Sequence, residues 1–431
     1  MELYRFVRAT FIAGAILAPA VASAQIAPGA ASPGAAARVS MDDAVRLAIE
    51  HNHLLRAQRL NVDISKADEI TAALKPNPVV TSTNASFPVF SPSQLTWDNV
   101  SNNQSFVESF SYLFERGGKR DKRTLVAQDT TSVAARMAID SERQLIFQTR
   151  QAFISVLLAQ SSLDLAREDL KNFSTVVDVN RERLRAGDLA ESDFLKISLQ
   201  QLQFEQDVSA AELAVVLAKA ALRQNVGFEG LTDTFEVDGD LAYTKYTLTL
   251  DDLKRDALAL RPDLLAAQGG VKLAQDAQAL ALSNRARDVT GEVEYDRAGP
   301  GNGLGFGFSI DLPFHDRNQG NIAHAKFGVL QATETESGAR TTVITDVVNA
   351  YAALQTSEKI VRLFESGYLD QAKQSLDTAT YVYQQGNGTL LDLLDAERTY
   401  RTTQLAYRQA LAVYMTNVQQ INFTVGRQVI P

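Results

Sequence analysis

The chain repeats itself, and this repeat constrains its fold more than any other feature of the sequence. Three pairs of segments recur in the same order: Met41–Val45 with Leu250–Lys254, Arg185–Leu189 with Gln384–Gly388, and Val226-Gly227 with Val425-Gly426. The first pair is offset by 209 residues and the other two by 199, so the first half holds ten more residues between its matching segments. We predict two halves of one layout: a helix, two strands, a very long helix, a glycine turn and a long helix.

The repeat also sets the boundaries along the chain. Residues 39–227 form the first repeat and 249–426 the second, with a connector at 228–248 and a tail at 427–431. Residues 1–24 are predicted to be an export signal peptide, because Arg5 and Arg8 precede a short apolar run and Ala22-Ser23-Ala24 offers a small-residue cleavage pattern. Residues 25–38, rich in Ala, Gly and Pro, are predicted to be a flexible lead-in.

Four segments alternate between apolar and polar residues with the period of a strand. They lie near residues 79–87, 104–114, 289–296 and 304–312. A length of about nine to eleven residues suits a strand that crosses a bilayer at a tilt. An open sheet of four strands would expose unpaired edges to lipid, so we expect other copies of the chain to close it. A small soluble β-domain with one wet face is the alternative.

The helices are predicted to be unusually long. No proline or glycine occurs in Lys119–Arg185, and the matching segment Asn321–Gln385 holds only Gly328, Gly338 and Gly367. At 1.5 Å per residue, each would extend about 100 Å. Helices of this length need lateral partners along their whole extent. A periplasmic coiled-coil scaffold without a pore is the alternative.

Composition excludes several classes of function. The formal charge of −9 leaves no basic surplus to bind nucleic acid. Cysteine is absent, which removes disulfides, thiol catalysis and cysteine-based metal sites. His51 and His53 have too generic a spacing to indicate a metal site, and no catalytic set of side chains stands out. We therefore predict no enzyme activity and no cofactor.

Two glycine-rich segments look like nucleotide-binding loops but lack the required pattern. Gly117-Gly118-Lys119 has neither the earlier glycine nor the following Ser or Thr of a phosphate-binding loop. The glycines at 301, 303, 305 and 307 alternate strictly, which puts them on one face of a strand instead of in a turn before a helix. We expect that face to be a smooth wall of a lumen.

The chain after the signal peptide resembles the TolC family of outer-membrane efflux proteins over nearly its whole length. The resemblance is carried by Asp42-Asp43, Asp251-Asp252, Arg261–Leu264, Phe114–Arg120, Leu312–Phe314 and, most specifically, Tyr383–Ala396. The family implies a mainly helical homotrimer whose four strands per chain complete one twelve-stranded barrel in the lipid of the outer membrane. Its helices continue as a periplasmic tunnel that meets a periplasmic adaptor protein and an inner-membrane pump.

The resemblance also implies roles for residues near the two helix turns. Asp392 and Asp395 share one helix face and would form rings of carboxylates that narrow the lumen, with Tyr383 in the same periplasmic gate. Acidic residues at a helix start are also favourable by themselves, which is the alternative explanation. The residues that contact the adaptor would be Gly187, Asp188, Leu189, Gly386, Asn387, Gly388 and Thr389. Gly388 stands where the family carries a basic residue.

The strand exit Gly117–Arg120 is most similar to the branch of the family that serves heavy-metal pumps of the resistance-nodulation-division type. The sequence thus predicts a passive exit channel of a tripartite efflux system that exports metal cations. Efflux of drugs or other organic solutes, and the exit duct of type I protein secretion, use the same fold and are the alternatives.

Overall fold

The computed structural model describes residues 38–85, 90–94, 96–103, 105–299 and 301–430. The predicted signal peptide and the lead-in up to residue 37 lie outside these ranges. None of the helices within these ranges is both long enough and apolar enough to cross a bilayer.

The first half contains one short strand and one short helix besides the predicted elements. Its elements are β1 (Arg38–Val39), α1 (Met41–His51), α2 (His53–Ala73), β2 (Val79–Ala85), α3 (Trp97–Asn103), β3 (Ser105–Phe114), α4 (Lys119–Ala186) and α5 (Glu191–Val226). The single helix predicted before β2 is divided at Asn52, whose side chain accepts a hydrogen bond from the Leu55 N–H at 2.9 Å and caps α2. Neither α3 nor β1 was predicted.

The connector and the second half together have a similar order of elements. They are β4 (Glu236–Val237), α6 (Leu250–Leu260), α7 (Pro262–Ser283), β5 (Val289–Ala298), β6 (Gly301–Ile310), α8 (Gln319–Leu363), α9 (Leu369–Gln384) and α10 (Leu390–Val425). Here the first helix divides at Arg261, followed by Pro262 at the first position of α7. The connector contributes β4, which pairs in parallel with β1 and ties the start of the described chain to its middle.

The two longest helices differ. Helix α4 runs unbroken for 68 residues, about 100 Å. The matching helix of the second half is interrupted between α8 and α9 by the π-helical segment Phe364–Tyr368, in which Gly367 has φ +122°. A residue with that φ cannot continue an α-helix. The sequence pattern did not indicate which of the three glycines would interrupt the helix, and Gly328 and Gly338 lie within α8.

The four longer strands form one antiparallel sheet in the order β2-β3-β5-β6. Strand β6 begins and ends earlier than the predicted 304–312, because its ladder with β5 runs from the pair Gly301–Ala298 to the pair Ile310–Val289. Pro313 lies just beyond this end and has no N–H to extend the ladder.

The register gives the sheet two different faces. One face is mostly apolar and aromatic, although it also carries Glu108 and Arg297: Phe106, Phe110, Tyr112, Phe114, Val293, Tyr295, Leu304, Phe306, Phe308 and Ile310. The other is polar and small: Ser109, Ser111, Glu292, Glu294, Asp296, Gly303, Gly305 and Gly307. Three of the four glycines that the sequence placed on one face, at 303, 305 and 307, therefore lie opposite carboxylates, and the Asp296 carboxylate fills the space that a side chain at 303 would need.

The packed core lies around the middle of the long helices and is divided between the halves. In the first half, Phe153, Leu222 and Phe235 are buried together between α4, α5 and the connector. In the second half, Val347 and Ile421 are buried between α8 and α10. The sheet at one end and the two helix turns at the other extend from this core.

Candidate functional site

The turn between α4 and α5 is a Schellman motif. Gly187 has φ +85°, its N–H donates to the Leu184 carbonyl at 3.1 Å, and the Asp188 N–H donates to the Arg183 carbonyl at 2.8 Å. No atom of another residue lies within 4 Å of where a Cβ of Gly187 would be, so glycine is needed here for its φ and not for lack of space. Gly187 and Asp188 are exposed.

The turn between α9 and α10 uses the same motif. Gly386 has φ +72°, its N–H donates to the Tyr383 carbonyl at 3.0 Å, and the Asn387 N–H donates to the Val382 carbonyl at 3.1 Å. Asn387 is exposed. The two turns are thus built alike at the two positions that the sequence matched at an offset of 199 residues.

Gly388 and Thr389 complete the second turn. A Cβ at Gly388 would lie 3.1 Å from the Tyr383 nitrogen and 3.1 Å from Val382 Cγ1, so the turn has little room for the basic residue that the resemblance leads us to expect there. The Thr389 hydroxyl accepts a hydrogen bond from the Asp392 N–H at 3.2 Å and donates to the Asp392 carboxylate at 2.7 Å. This capping box starts α10.

The two aspartates of the predicted gate therefore have different surroundings. The Asp392 carboxylate is engaged in the capping box, which is the helix-start role that the sequence left open. Asp395 is exposed and forms no hydrogen bond or ion pair with any other residue in the part of the chain that the structure describes. Of the two, Asp392 therefore has a structural role at the helix start, and Asp395 remains a candidate for the predicted gate.

Tyr383 is buried and joins the two halves near the turns. Its hydroxyl donates to Asn180 Oδ1 on α4 at 2.7 Å, and Asn180 itself is only 1% exposed. The Arg183 guanidinium lies over the Tyr383 ring, 5.4 Å from its centroid. Burial raises the pKa of Tyr383, so the hydroxyl keeps its proton for this bond at neutral pH.

An apolar cluster behind the turns holds them together. Phe173 and Phe204 stack with ring centroids 4.7 Å apart, and Leu189 of the first turn packs against the same cluster as Leu390 and Leu394 of the second. Of the residues predicted to contact an adaptor, Leu189 is therefore half-buried and supports the turn from inside.

Farther from the turns, α4 carries Asp169 and α10 carries Glu397, near enough for the charge of Asp169 to act on Glu397; we call these two residues the acidic pair. Asp169 is 5% exposed, and its Oδ2 is buried without a hydrogen-bond partner in the described residues. Burial raises the pKa of Asp169 to about 6. Burial, followed by the charge of Asp169, raises the pKa of Glu397 to about 7.

The two arginines nearest the acidic pair are engaged elsewhere. Arg401 forms an ion pair with Asp207 of α5 and lies over the Phe204 ring at 5.0 Å. Arg408 donates to Ser161 Oγ at 3.0 Å and to Gln404 Oε1 at 2.9 Å. Both guanidinium groups lower the pKa of Asp169, while Glu168 and Asp207 raise it, so burial decides the direction.

A second charged group, the belt cluster, joins α4 to the second half at the packed core. It consists of Asp140, Arg143, Arg261, Asp263 and Asp346. Arg261, only 3% exposed, donates two hydrogen bonds to Asp263, at 3.0 and 2.6 Å, and one to Asp346 at 2.9 Å. Arg143 donates to Asp140 at 2.9 and 2.6 Å, with its guanidinium 4.0 Å from the Phe423 ring centroid.

Sequence reasoning found the turns but missed the residues behind them. Asn180 and Asp169 occupy positions of an apolar stripe on α4, together with Leu165, Phe173 and Val177. Polar residues within such a stripe are the signal that could have identified them.

For metals, His53 lies 3.4 Å from Glu229, and the described residues contain no group of three His, Asp or Glu side chains placed to share an ion.

Comparison with known proteins agrees with this architecture. The cobalt-zinc-cadmium resistance protein CzcC of Cupriavidus metallidurans is 24% identical over 394 residues, covering 91% of this chain and 91% of CzcC. The fusaric acid resistance protein FusA of Burkholderia cepacia is 27% identical over 228 residues, 51% of this chain and 39% of FusA. A solved structure of CusC superposes with a TM-score of 0.75 at 17% identity, over 90% of this chain and 92% of CusC.

The sequence model of one family matches both halves of the chain. It is the model of the outer membrane efflux protein, which matches residues 44–227 and 253–427. These two ranges begin at corresponding points of α1 and α6 and end just after α5 and α10. The resemblance noted from the sequence is confirmed: the chain belongs to the family of outer membrane efflux proteins, and its place is the outer membrane.

Proposed function

We propose that the protein is a homotrimeric, passive exit channel of a tripartite efflux system. The observation that carries the proposal is the open sheet with two unlike faces. Among the described residues, β2 and β6 each pair along one edge only, and an unpaired edge cannot lie in lipid. Three copies, with β6 of one beside β2 of the next, would close twelve strands into a barrel.

The two faces support the same arrangement. Phe306 and Phe308 are 78% and 80% exposed in the single chain, which is costly in water and favourable against lipid. The opposite face, with Glu292, Glu294 and Asp296 beside glycines, would line the lumen. The long helices α4 and α8–α10 would then continue the lumen as a periplasmic tunnel ending at the two turns.

The turns are proposed as the contact for a periplasmic adaptor protein, which in turn recruits an inner-membrane pump. The turns lie at the ends of the long helices opposite the strands. Their exposed residues are Gly187, Asp188, Gly386, Asn387 and Thr389. Gly388 and the half-buried Leu189 shape the turns. The gate would lie beside them, with Tyr383 holding α9 to α4 and the exposed Asp395 facing the lumen.

A metal cation is the proposed cargo. The similarity to CzcC, a cobalt-zinc-cadmium resistance protein, extends over nine-tenths of both chains. Carboxylates along the lumen face and at the gate would favour cations over anions. The similarity to FusA, a fusaric acid resistance protein, favours an organic solute as the second candidate.

Susceptibility of a deletion strain tests this proposal. We expect the strain to become more sensitive to cobalt, zinc and cadmium salts and to recover with the wild-type gene. Gly386→Val, which forces a branched side chain to φ +72°, should insert in the outer membrane but fail to restore resistance. Gly386→Asn is the matched control, because asparagine tolerates this φ, and it should restore resistance.

Two results would change the proposal. Sensitivity to organic acids alone would favour the second candidate over metals. Full resistance with Gly386→Val would remove the turn from the adaptor contact, and recovery of the protein as a soluble periplasmic monomer would contradict the barrel.

A further inference from the structure

A pocket lies where the sheet meets the long helices, at the segment that resembles a phosphate-binding loop but lacks its pattern. This junction pocket has a volume of about 370 Å³ and is lined by residues of the α2 exit, the β3 end and the α4 start, among them Lys75, Tyr112, Phe114, Lys119 and Arg120. It continues the apolar face of the sheet, because Tyr112 and Phe114 belong to that face and contact each other edge to face at 4.9 Å.

The walls of the junction pocket are held in place. The Lys119 ammonium donates to both oxygens of Asp288 at 2.9 and 2.8 Å, and the Arg116 N–H donates to the same carboxylate at 2.9 Å. Gly117 has φ +75°, and a Cβ there would lie 2.8 Å from Ala286 Cβ. The start of α4 is thus fixed against the segment between α7 and β5.

The segment of the chain at this junction has a net positive charge, although the chain as a whole is acidic. Residues 115–123 include five basic and two acidic side chains, whereas the whole chain has a formal charge of −9. Glu115 is neutralised by Arg123 at 2.7 Å. Asp121 lies 3.6 Å from Arg120 but its side chain is 77% exposed, so water screens that pair.

Lys75 has no such partner. It is exposed, and its ammonium lies within 4 Å of no carboxylate in the described part of the chain. Lys75 and Arg120 therefore bring two incompletely neutralised cations to one pocket, directly beside two aromatic rings. This pairing of cations with an apolar surface fits a molecule that carries an anionic phosphodiester on hydrocarbon chains.

We propose that the junction pocket binds the headgroup of an anionic glycerophospholipid in the periplasmic leaflet of the outer membrane. The inference rests on the proposed insertion of the sheet, which sets the pocket at the level of that leaflet. Lys75 and Arg120 contact the phosphodiester, and Tyr112 and Phe114 pack against the glycerol and the first acyl carbons. The site anchors the junction at a fixed depth in the membrane.

Lipid retention by the purified trimer tests the site. The trimer in detergent is incubated with equimolar phosphatidylglycerol and phosphatidylcholine, and the retained lipids are counted by native mass spectrometry. Wild type should retain phosphatidylglycerol preferentially. Lys75→Gln with Arg120→Gln should weaken that preference by roughly 10- to 30-fold. Lys66→Gln with Arg181→Gln, which removes two exposed cations on α2 and α4 away from the pocket, is the matched control and should behave as wild type.

Three outcomes would overturn the inference. One is equal retention of phosphatidylglycerol by the junction variant and wild type. The second is an equal loss in the control variant, which would indicate an effect of net charge alone. The third is displacement of the lipid by an excess of inorganic phosphate, which would reveal a site for free anions.

Membrane insertion is measured separately, as a heat-modifiable trimer in the outer-membrane fraction. An inserted trimer without preference for phosphatidylglycerol overturns the lipid site and leaves the proposed channel standing. Absence of the trimer from the membrane overturns both.

Discussion

The belt cluster and the acidic pair both join α4 to the second half of the chain, yet they are built in opposite ways. In the belt cluster, the buried guanidinium of Arg261 meets two carboxylates with three hydrogen bonds. In the acidic pair, Asp169 and Glu397 carry like charges when ionised, and the nearby arginines are bonded to other residues. A cluster whose charges are all paired holds its helices in place. Where the carboxyl groups are unpaired, the contact between their helices depends on whether those groups are protonated.

The two regions therefore respond to pH in opposite directions. Burial opposes the charge of Asp263, but the bonds from Arg261 outweigh it and lower the pKa of Asp263, so the belt loses stability only as pH falls below about 4. For the acidic pair, the raised pKa values mean that the folded contact favours the protonated forms. Its stability is full below the unfolded values near 4 and is lost as pH rises through about 6 and 7.

The largest effect is expected at the belt. Arg261→Ala leaves Asp263 and Asp346 without their partner and should lower the local stability of α7 against α8 by roughly 3–5 kcal/mol, measured by hydrogen exchange of their amides. Arg255→Ala, which removes an exposed ion pair with Asp252 at 2.6 Å, is the control and should cost less than about 1 kcal/mol. Equal effects of the two variants would contradict the distinction between a fixed belt and ordinary surface charge.

The acidic pair should give the next largest effect, and with the opposite sign. Asp169→Asn with Glu397→Gln mimics the protonated pair, so it should stabilise the contact of α4 with α10 on the order of 2 kcal/mol at pH 8 and by clearly less at pH 5. Hydrogen exchange at the start of α10, corrected for intrinsic rates, measures this difference. A gain of the same size at both pH values would show that packing, not charge, is responsible.

Tyr383 gives a smaller test of the same region. Tyr383→Phe removes the donor to Asn180, which is buried, so the contact of α9 with α4 should weaken by about 1–2 kcal/mol. Exchange of the α9 amides should rise while those of the belt stay unchanged. Tyr381→Phe, at a side chain that is 63% exposed, is the control, and an effect equal to that of Tyr383→Phe would remove the role of the buried bond.

The smallest effect on stability is expected at the two aspartates of the proposed gate. Asp392→Asn should cost about 0.5–1 kcal/mol because it weakens the capping box, whereas Asp395→Asn should leave the stability of α10 unchanged. In planar bilayers under a salt gradient, Asp395→Asn should shift the reversal potential towards lower cation preference more than Asp392→Asn does. A larger shift for Asp392→Asn would reverse our assignment of which carboxylate faces the lumen.

The same two regions show which features of the structure could be predicted from the sequence and which could not. Strands and turns could be predicted because alternation and glycine placement are local signals, as at Gly187 and Gly386. The belt and the acidic pair could not, because Arg143 and Asp263, or Asp169 and Glu397, are far apart in the chain and meet only through packing of helices. The break at Gly367 was also missed, since Gly328 and Gly338 give the same local signal and remain helical.

The central claim is a conducting channel in which the belt cluster is fixed and the contact at the acidic pair depends on pH. The most direct test is the conductance of the purified, reconstituted protein at about pH 5 and pH 8. We predict a conducting pore that is more open at pH 8, where both carboxyls of the acidic pair are ionised, and a pH response that disappears in Asp169→Asn with Glu397→Gln. No conductance at either pH, or the wild-type pH response in that variant, would contradict the account.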